Sequence, residues 1–233
     1  EEDDEEAKEE EDEGPTFGKD GRPQGPTPSF EVVDEVSTGS VMEVNGVQVY
    51  SAGKAGGAAG ILVVSDFWGW HSGRVRVIAD YLAKAMNALT VVPRLLDTPC
   101  FEGGTEGDGL PAGFDRAGRQ KEFRSWMMKY VWQKFKSKID AACVHLRAGG
   151  AKRIAGVGFS FGAWAVCRAS EMVGEFVCSV LMYPSVHLME ELMDGSHIRL
   201  AGKLRGPVLF MPAKDDPGMY GPDGDMVATV RQK

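Results

Sequence analysis

Cysteine, histidine and long apolar runs are all scarce in this 233-residue sequence, and their scarcity argues against several classes of protein. No apolar stretch reaches the roughly 18 residues that a membrane-spanning helix needs, so we expect no membrane association. The cysteines form no CxxC pair and no Cys/His spacing typical of a metal site, so we expect neither a metal nor another cofactor. Isolated thiols are typical of a reducing compartment, which predicts a cytoplasmic protein with reduced cysteines at positions 100, 143, 167 and 178.

Positive charge is also in short supply, and the net charge of −8 is unevenly distributed. Residues 1–13 hold eleven acids and one lysine, so they contribute −10 and leave +2 for the rest of the chain. Such a run predicts a disordered tail, with a docking tail for an unidentified basic partner as the alternative. The near-neutral remainder gives no sign of a nucleic-acid surface. Residues 14–29 are rich in Gly and Pro and predict a linker, which leaves 30–233 as the folded domain.

The folded part begins with a hairpin pattern and continues with buried strands. Residues 41–50 place Asn45-Gly46 between two strand-like runs, which is typical of a type I′ turn. Apolar runs predict strands buried on both faces at 60–65, 89–93, 153–158, 176–183 and 207–212. Helices are predicted at 73–87, 120–148, 161–173 and 186–194, with a Gly-rich loop at 97–117. This alternation predicts an α/β fold whose sheet is mostly parallel and covered on both faces, with the hairpin antiparallel at one edge.

A candidate catalytic nucleophile lies in one five-residue segment, Gly158-Phe159-Ser160-Phe161-Gly162. It lies between a predicted strand and a predicted helix, which is the context of the nucleophile elbow of an α/β-hydrolase. The serine of such an elbow sits on a tight, strained turn, and side chains two residues away on either side would collide. The helix N-terminus directs free N–H groups towards an oxyanion. A Gly-rich turn with a helix-capping serine is the alternative.

A serine nucleophile in this fold needs an acid and then a histidine further along the chain. Asp215 and Asp216 follow the predicted strand 207–212, at the edge of the sheet where the fold places its acid. No histidine follows Asp216, because the four in the sequence are His71, His145, His187 and His197. Of these, His71 lies in a loop expected to border the elbow, either as a substitute base or as a plain helix-start residue.

Five segments together resemble a known family: SDFWGW at 65–70, VVPRLL at 91–96, VGFSFGA at 157–163, MYPS at 182–185 and PAKDDP at 212–217. They are similar to motifs of the dienelactone hydrolase family (carboxymethylenebutenolidase-like), in its eukaryotic branch. The resemblance extends over residues 60–217, which is about two-thirds of the chain.

The resemblance implies a role for each matching residue. It implies that Ser160 is the nucleophile and Asp216 the triad acid, and that the backbone N–H groups of Phe67 and Phe161 form the oxyanion hole. Asp66 matches the acid that contacts the resting nucleophile in the family. The family's nucleophile is usually cysteine, whereas a serine hydroxyl needs a general base at the moment of attack.

The sequence also departs from the family's pattern. Arg94 stands in place of an aspartate and Tyr183 in place of a histidine, which argues against dienelactone itself as the substrate. The family's catalytic histidine lies well after the acid, in a His-Gly-Phe segment. The 233-residue sequence extends 17 positions beyond Asp216. We therefore expect the family's last strand and helix, and the triad histidine with them, to be missing from the 233 residues.

The sequence thus predicts a serine hydrolase that acts on small carboxylic esters or lactones through an acyl-enzyme. A catalytically inactive α/β-hydrolase-fold protein used for binding or as a scaffold is the alternative, because of the missing histidine and the acidic tail. Weak activity from an oxyanion hole without a full triad lies between the two. Phe67, Trp68, Trp70 and Phe161 are expected to line the pocket, which favours an apolar or aromatic substrate.

Overall fold

A computed structural model describes residues 16–17, 23–24, 37–96, 109–111, 113–171 and 176–233. The acidic tail, most of the linker, Cys100 and much of the Gly-rich loop lie outside the described residues. Within the N-terminal part, Thr16–Phe17 pairs antiparallel with Pro23–Gln24.

Within the described residues, seven strands form the main sheet. They are β1 (Ser40–Val44), β2 (Val47–Ala52), β3 (Ala59–Val64), β4 (Leu89–Pro93), β5 (Arg153–Phe159), β6 (Cys178–Met182) and β7 (Val208–Met211). Their order across the sheet is β1-β2-β4-β3-β5-β6-β7. The first two pairings, β1 with β2 and β2 with β4, are antiparallel, and all later pairings are parallel. The predicted α/β class and the predicted edge hairpin are therefore confirmed.

The hairpin turn follows from its two residues. Asn45 and Gly46 both have positive φ, of 51° and 78°, as a type I′ turn requires. In the register of β1 and β2, Val44 pairs with Val47 directly across the turn.

Helices cover both faces of the sheet. They are α1 (Val75–Met86), α2 (Gln120–Met127), α3 (Trp132–Ala148), α4 (Phe161–Glu171), α5 (Val186–Leu192), α6 (His197–Ala201) and α7 (Asp225–Arg231), with a 3₁₀ turn at Gly218–Tyr220. The patterns at 73–87, 161–173 and 186–194 predicted α1, α4 and α5 to within a few residues, while α6, α7 and the 3₁₀ turn were not predicted.

The single helix predicted over 120–148 is wrong, because the chain breaks between α2 and α3. Val131 adopts an extended conformation, with φ of −77° and ψ of 151°. The preceding turn buries Tyr130, whose ring stacks on Phe135 with centroids 5.4 Å apart. The burial of this aromatic ring outweighs the helical pattern, which contains no Gly or Pro to mark the break.

The interior consists of two apolar layers, one on each face of the sheet. In β3, Leu62 and Val64 pack into the layer beneath α3 and α4, while Ile61 and Val63 pack into the layer beneath α1. Successive strand residues point to opposite faces, so a strand buried on both faces needs the unbroken apolar run that the sequence has here.

Strand β7 departs from that pattern. Val208 and Phe210 pack against the core, but Leu209 and Met211 are 54% and 45% exposed. The prediction that 207–212 is buried on both faces is therefore wrong for the described structure, in which β7 forms an edge of the sheet and one of its faces is open.

Of the cysteines that the structure describes, Cys143 and Cys167 are buried and Cys178 is partly buried. None of the helices in the described ranges combines the length and the apolar character needed to cross a bilayer.

Candidate active site

Ser160 occupies the sharp turn between β5 and α4. The strand ends at Phe159 and the helix begins at Phe161, so a single residue reverses the direction of the chain. Its φ of 52° is positive, which is uncommon for a residue other than glycine and stores strain. A serine held in such a conformation by the strand and helix around it has the geometry of a nucleophile elbow.

The two flanking glycines are required by close backbone contacts. A Cβ added to Gly158 would lie 2.4 Å from the carbonyl oxygen of Gly162. A Cβ added to Gly162 would lie 2.4 Å from the carbonyl oxygens of both Val64 and Ser65. These neighbours are backbone atoms of the same elbow and of the end of β3, so they cannot move aside at low cost.

Ser160 is held by the last residue of β6 and by the segment that follows this strand. Its backbone N–H, its carbonyl and its side chain all take part. Ser160 donates its backbone N–H to the carbonyl of Met182 at 3.0 Å, and its own carbonyl accepts the N–H of Ser185 at 3.1 Å. The two hydroxyl oxygens, Ser160 Oγ and Ser185 Oγ, are 3.0 Å apart. The sequence assigned no role to Ser185, although it stands in the MYPS segment that contributes to the family resemblance.

Ser160 opens into a cavity of about 260 Å³, here called the nucleophile cavity. Its described lining comprises Asp66, Phe67, Trp68, Leu110, Arg116, Ser160 and Tyr183. Two of the four aromatic residues expected in the pocket, Phe67 and Trp68, are therefore present. The other two are not, because Phe161 is fully buried in the core and Trp70 is buried beneath the Arg76 guanidinium, 4.2 Å from its ring centre.

The family resemblance implies an oxyanion hole formed by two backbone N–H groups, those of Phe67 and Phe161, and this assignment stays a prediction. Phe161 is the first residue of α4, so its N–H has no acceptor within the helix. The N–H of Phe67 has no acceptor among the described residues, while its carbonyl accepts the N–H of Leu110 at 2.9 Å. The rings of Phe67 and Phe161 stack with centroids 4.8 Å apart, which ties the two backbone segments together.

Asp66 shares the nucleophile cavity with Ser160 and is held by two hydrogen bonds. Its Oδ1 accepts the N–H of Trp68 at 2.9 Å, and its Oδ2 accepts the hydroxyl of Tyr183 at 3.3 Å. Burial raises the pKa of Asp66 to about 6, against the lowering effect of these hydrogen bonds. The Ser160 hydroxyl is hydrogen-bonded to Ser185 in this arrangement, so the contact with Asp66 that the family resemblance implies stays a prediction.

The raised pKa of Asp66 makes stability depend on pH. Between about pH 4 and pH 6 the folded state binds more protons than the unfolded state, so the free energy of unfolding falls as the pH rises through that range. Asp66→Asn retains an acceptor for the N–H of Trp68 and removes the buried charge. We expect it to raise the free energy of unfolding by about 2 kcal/mol at pH 7.5 and to have little effect at pH 4.

Chemical denaturation of Asp66→Asn at both pH values checks this expectation, with Asp223→Asn at an exposed carboxyl as the control. Equal stabilisation at pH 4 and pH 7.5 would show that the buried charge of Asp66 is not the cause.

Asp216 lies in the loop after β7, outside the described lining of the nucleophile cavity. Its Oδ2 accepts the N–H of Ala213 at 2.7 Å, and its own N–H donates to the carbonyl of Ala213 at 3.1 Å. His187 is close enough for the charge of Asp216 to raise its pKa, but burial dominates and lowers the pKa of His187. Its Nδ1 lies 2.7 Å from the Tyr220 hydroxyl.

Two further histidines have their nearest polar neighbours away from Ser160. His145 Nε2 lies 3.1 Å from Ser51 Oγ, and His197 Nε2 lies 4.0 Å from a carboxylate oxygen of Asp225. Within the part of the chain that the structure describes, the Ser160 hydroxyl has Ser185 as its hydrogen-bond partner. The same part holds no cluster of three His, Cys, Asp or Glu side chains able to bind a metal ion.

Solved structures with the same architecture show which fold this is. A protein assigned as a dienelactone hydrolase from Klebsiella pneumoniae is 18% identical, with a TM-score of 0.56 over 83% of this chain and 78% of its own. A dienelactone hydrolase-like promiscuous phosphotriesterase from metagenomic libraries is 16% identical, with a TM-score of 0.52 over 83% and 75%. Est1E from Butyrivibrio proteoclasticus is 11% identical, with a TM-score of 0.51 over 73% and 75%. The fold is therefore that of the α/β-hydrolases.

The family follows from the sequence itself. The model of the dienelactone hydrolase family matches residues 47–232, which is most of the chain, so this protein belongs to that family. No curated protein matches it. The family and the fold together support a hydrolase function.

Proposed function

We propose that this protein is a serine hydrolase that cleaves small carboxylic esters or lactones through an acyl-enzyme on Ser160. The observation that carries the proposal is the strained elbow: Ser160 has a φ of 52°, packed glycines on both sides, and an opening into the nucleophile cavity. A structural serine in a Gly-rich turn needs neither the strain nor the cavity.

The chemistry requires three elements around the carbonyl carbon. Ser160 Oγ attacks that carbon while its proton passes to a general base. The family resemblance gives this role to a histidine that follows Asp216, and no histidine follows Asp216 in these 233 residues. The N–H groups of Phe67 and Phe161 stabilise the oxyanion of the tetrahedral intermediate. The leaving alcohol takes the proton, and water then hydrolyses the acyl-enzyme to release the acid.

The size of the nucleophile cavity restricts the substrate. Its volume of about 260 Å³ lies below the roughly 300–1,000 Å³ of pockets for drug-sized ligands. This volume supports the proposal of small esters and lactones rather than larger substrates. A panel of short-chain alkyl esters and γ- and δ-lactones, assayed by proton release, tests the proposal, and hydrolysis no faster than in buffer for every compound would reject it.

Ser185 is proposed to orient the nucleophile. Its hydroxyl is 3.0 Å from that of Ser160 and makes no capping hydrogen bond to α5, so the nucleophile is its hydrogen-bond partner among the described residues. We expect Ser185→Ala to lower kcat about tenfold with little change in KM, because the ground-state binding of the ester does not use this bond.

Ser185→Thr, which retains the hydroxyl, serves as the comparison and should recover most of the kcat. A parallel loss in both variants, or a change confined to KM, would remove Ser185 from this role.

A further inference from the structure

A second, smaller cavity adjoins the nucleophile cavity. This side cavity has a volume of about 130 Å³ and lies between the N-terminal end of α1 and the end of β5. Asp66 and Tyr183 are the described residues that line both cavities, so together they form the wall between them.

The walls of the side cavity favour an uncharged, apolar occupant. Val75, Ile78, Phe159 and the ring of Tyr183 supply its apolar surface. The Ser72 hydroxyl already donates to the carbonyl of Gly69, so it offers little to a polar ligand. Arg74 lies at the exposed rim, and the carboxyl group of Asp66 would repel an acidic group placed against the wall.

The side chain of Tyr183, which forms part of the wall between the two cavities, is held only weakly. The hydrogen bond from the Tyr183 hydroxyl to Asp66 is 3.3 Å long, well beyond the usual 2.7–2.8 Å of an O–H···O bond, so it is weak. The Tyr183 side chain is also partly exposed, and its ring leans on Phe159 with centroids 5.8 Å apart. The backbone of Tyr183, in contrast, is held in place. Its φ is 33°, and its N–H donates a hydrogen bond to the carbonyl of Met211 at 2.8 Å. Rotation of the Tyr183 side chain would therefore join the two cavities without moving the sheet.

We propose that the side cavity is a substrate subsite for an uncharged, benzene-sized group of the ester, and that Tyr183 is the specificity-determining residue that opens it. The volume supports this class, because an apolar cavity of about 150 Å³ accepts benzene. This inference rests on the proposed function of Ser160. It adds that esters with one aromatic ring, in the acyl or in the alcohol half, are better substrates than esters without one.

The first test fills the side cavity. Ile78→Phe adds a ring to its wall, and Met86→Phe enlarges an exposed side chain of the same helix away from both cavities. The readout is the ratio of kcat/KM for benzyl acetate, or for methyl phenylacetate, to that for ethyl acetate. We expect Ile78→Phe to lower one of these ratios at least tenfold, comparable with other shape-based discriminations in apolar pockets. The ratio that falls identifies the half of the ester that occupies the subsite, and two unchanged ratios would overturn the proposal.

The second test opens the wall. Tyr183→Phe removes the hydroxyl that bonds to Asp66 and keeps the ring, while Tyr81→Phe removes a hydroxyl from an exposed tyrosine of α1. We expect Tyr183→Phe to raise the same ratio about threefold, because opening no longer breaks a hydrogen bond. A ratio that stays at the level of Tyr81→Phe would show that the hydroxyl does not hold the wall closed.

A binding measurement separates this inference from the proposed function. Saturation-transfer NMR with benzyl alcohol, the neutral product of benzyl acetate hydrolysis, detects occupancy without turnover. We expect a signal that Ile78→Phe abolishes and Met86→Phe retains. If no ester is hydrolysed but this pattern holds, the proposed function fails and the subsite stands. If esters are hydrolysed but Ile78→Phe still binds benzyl alcohol, the subsite fails and the proposed function stands.

Discussion

Ser160→Ala is expected to lower kcat/KM for small esters at least about 1,000-fold, equivalent to about 4 kcal/mol of transition-state stabilisation. The substitution removes one oxygen atom, the one that would form the bond to the acyl group. The elbow itself should persist, because the backbone bonds to Met182 and Ser185 do not involve the side chain. The cavity and the two N–H groups proposed to stabilise the oxyanion remain, so a small residual rate above buffer is consistent with the account.

Ser137→Ala is the matched control for this variant, since it removes the hydroxyl of an exposed serine on α3. Thermal unfolding of both variants should agree with the parent protein within a few degrees. If the parent hydrolyses esters and Ser160→Ala does so at the same rate, the chemistry takes place elsewhere in the molecule.

Gly162→Ala is expected to destabilise the protein by about 3 kcal/mol or more, or to prevent folding. The new Cβ would lie 2.4 Å from two carbonyl oxygens at the end of β3, a separation that real Cβ atoms essentially never show. Relief of this contact requires α4 to move away from β3. Because Ser160 and the N–H of Phe161 belong to the same turn, any folded fraction should also lose activity.

Gly218→Ala provides the comparison for this variant, because a Cβ at Gly218 meets nothing within 4 Å and its φ is not in the left-handed region. We expect its free energy of unfolding to stay within about 0.5 kcal/mol of the parent. Equal stability of the two variants in urea denaturation would show that the elbow is not packed as tightly as described.

The parts of the molecule that could be predicted from sequence are those with local causes. The strand β3 was predicted because burial on both faces demands an unbroken apolar run. The hairpin was predicted because Asn45 and Gly46 tolerate positive φ. The elbow was predicted because the spacing of Gly158 and Gly162 around Ser160 reflects contacts between adjacent strand and helix residues.

The remaining features depend on contacts between distant parts of the chain. Ser185 is 25 residues from Ser160, and Tyr183 is 117 residues from Asp66, so neither hydrogen bond has a local sequence signal. The break before α3 follows from the stacking of Tyr130 on Phe135 in the core. The open face of β7 depends on its position in the sheet, which an apolar run cannot reveal.

The central claim is that Ser160 is an activated nucleophile that forms a covalent intermediate. Its most direct test is to treat the protein with a fluorophosphonate, which phosphonylates activated serines, and to measure the intact and peptide masses. The account predicts one adduct per chain, located on the peptide that contains Ser160 and absent from Ser160→Ala. No adduct on the correctly folded protein would contradict the account and favour a binding or scaffold role, and an adduct on another serine would relocate the active site.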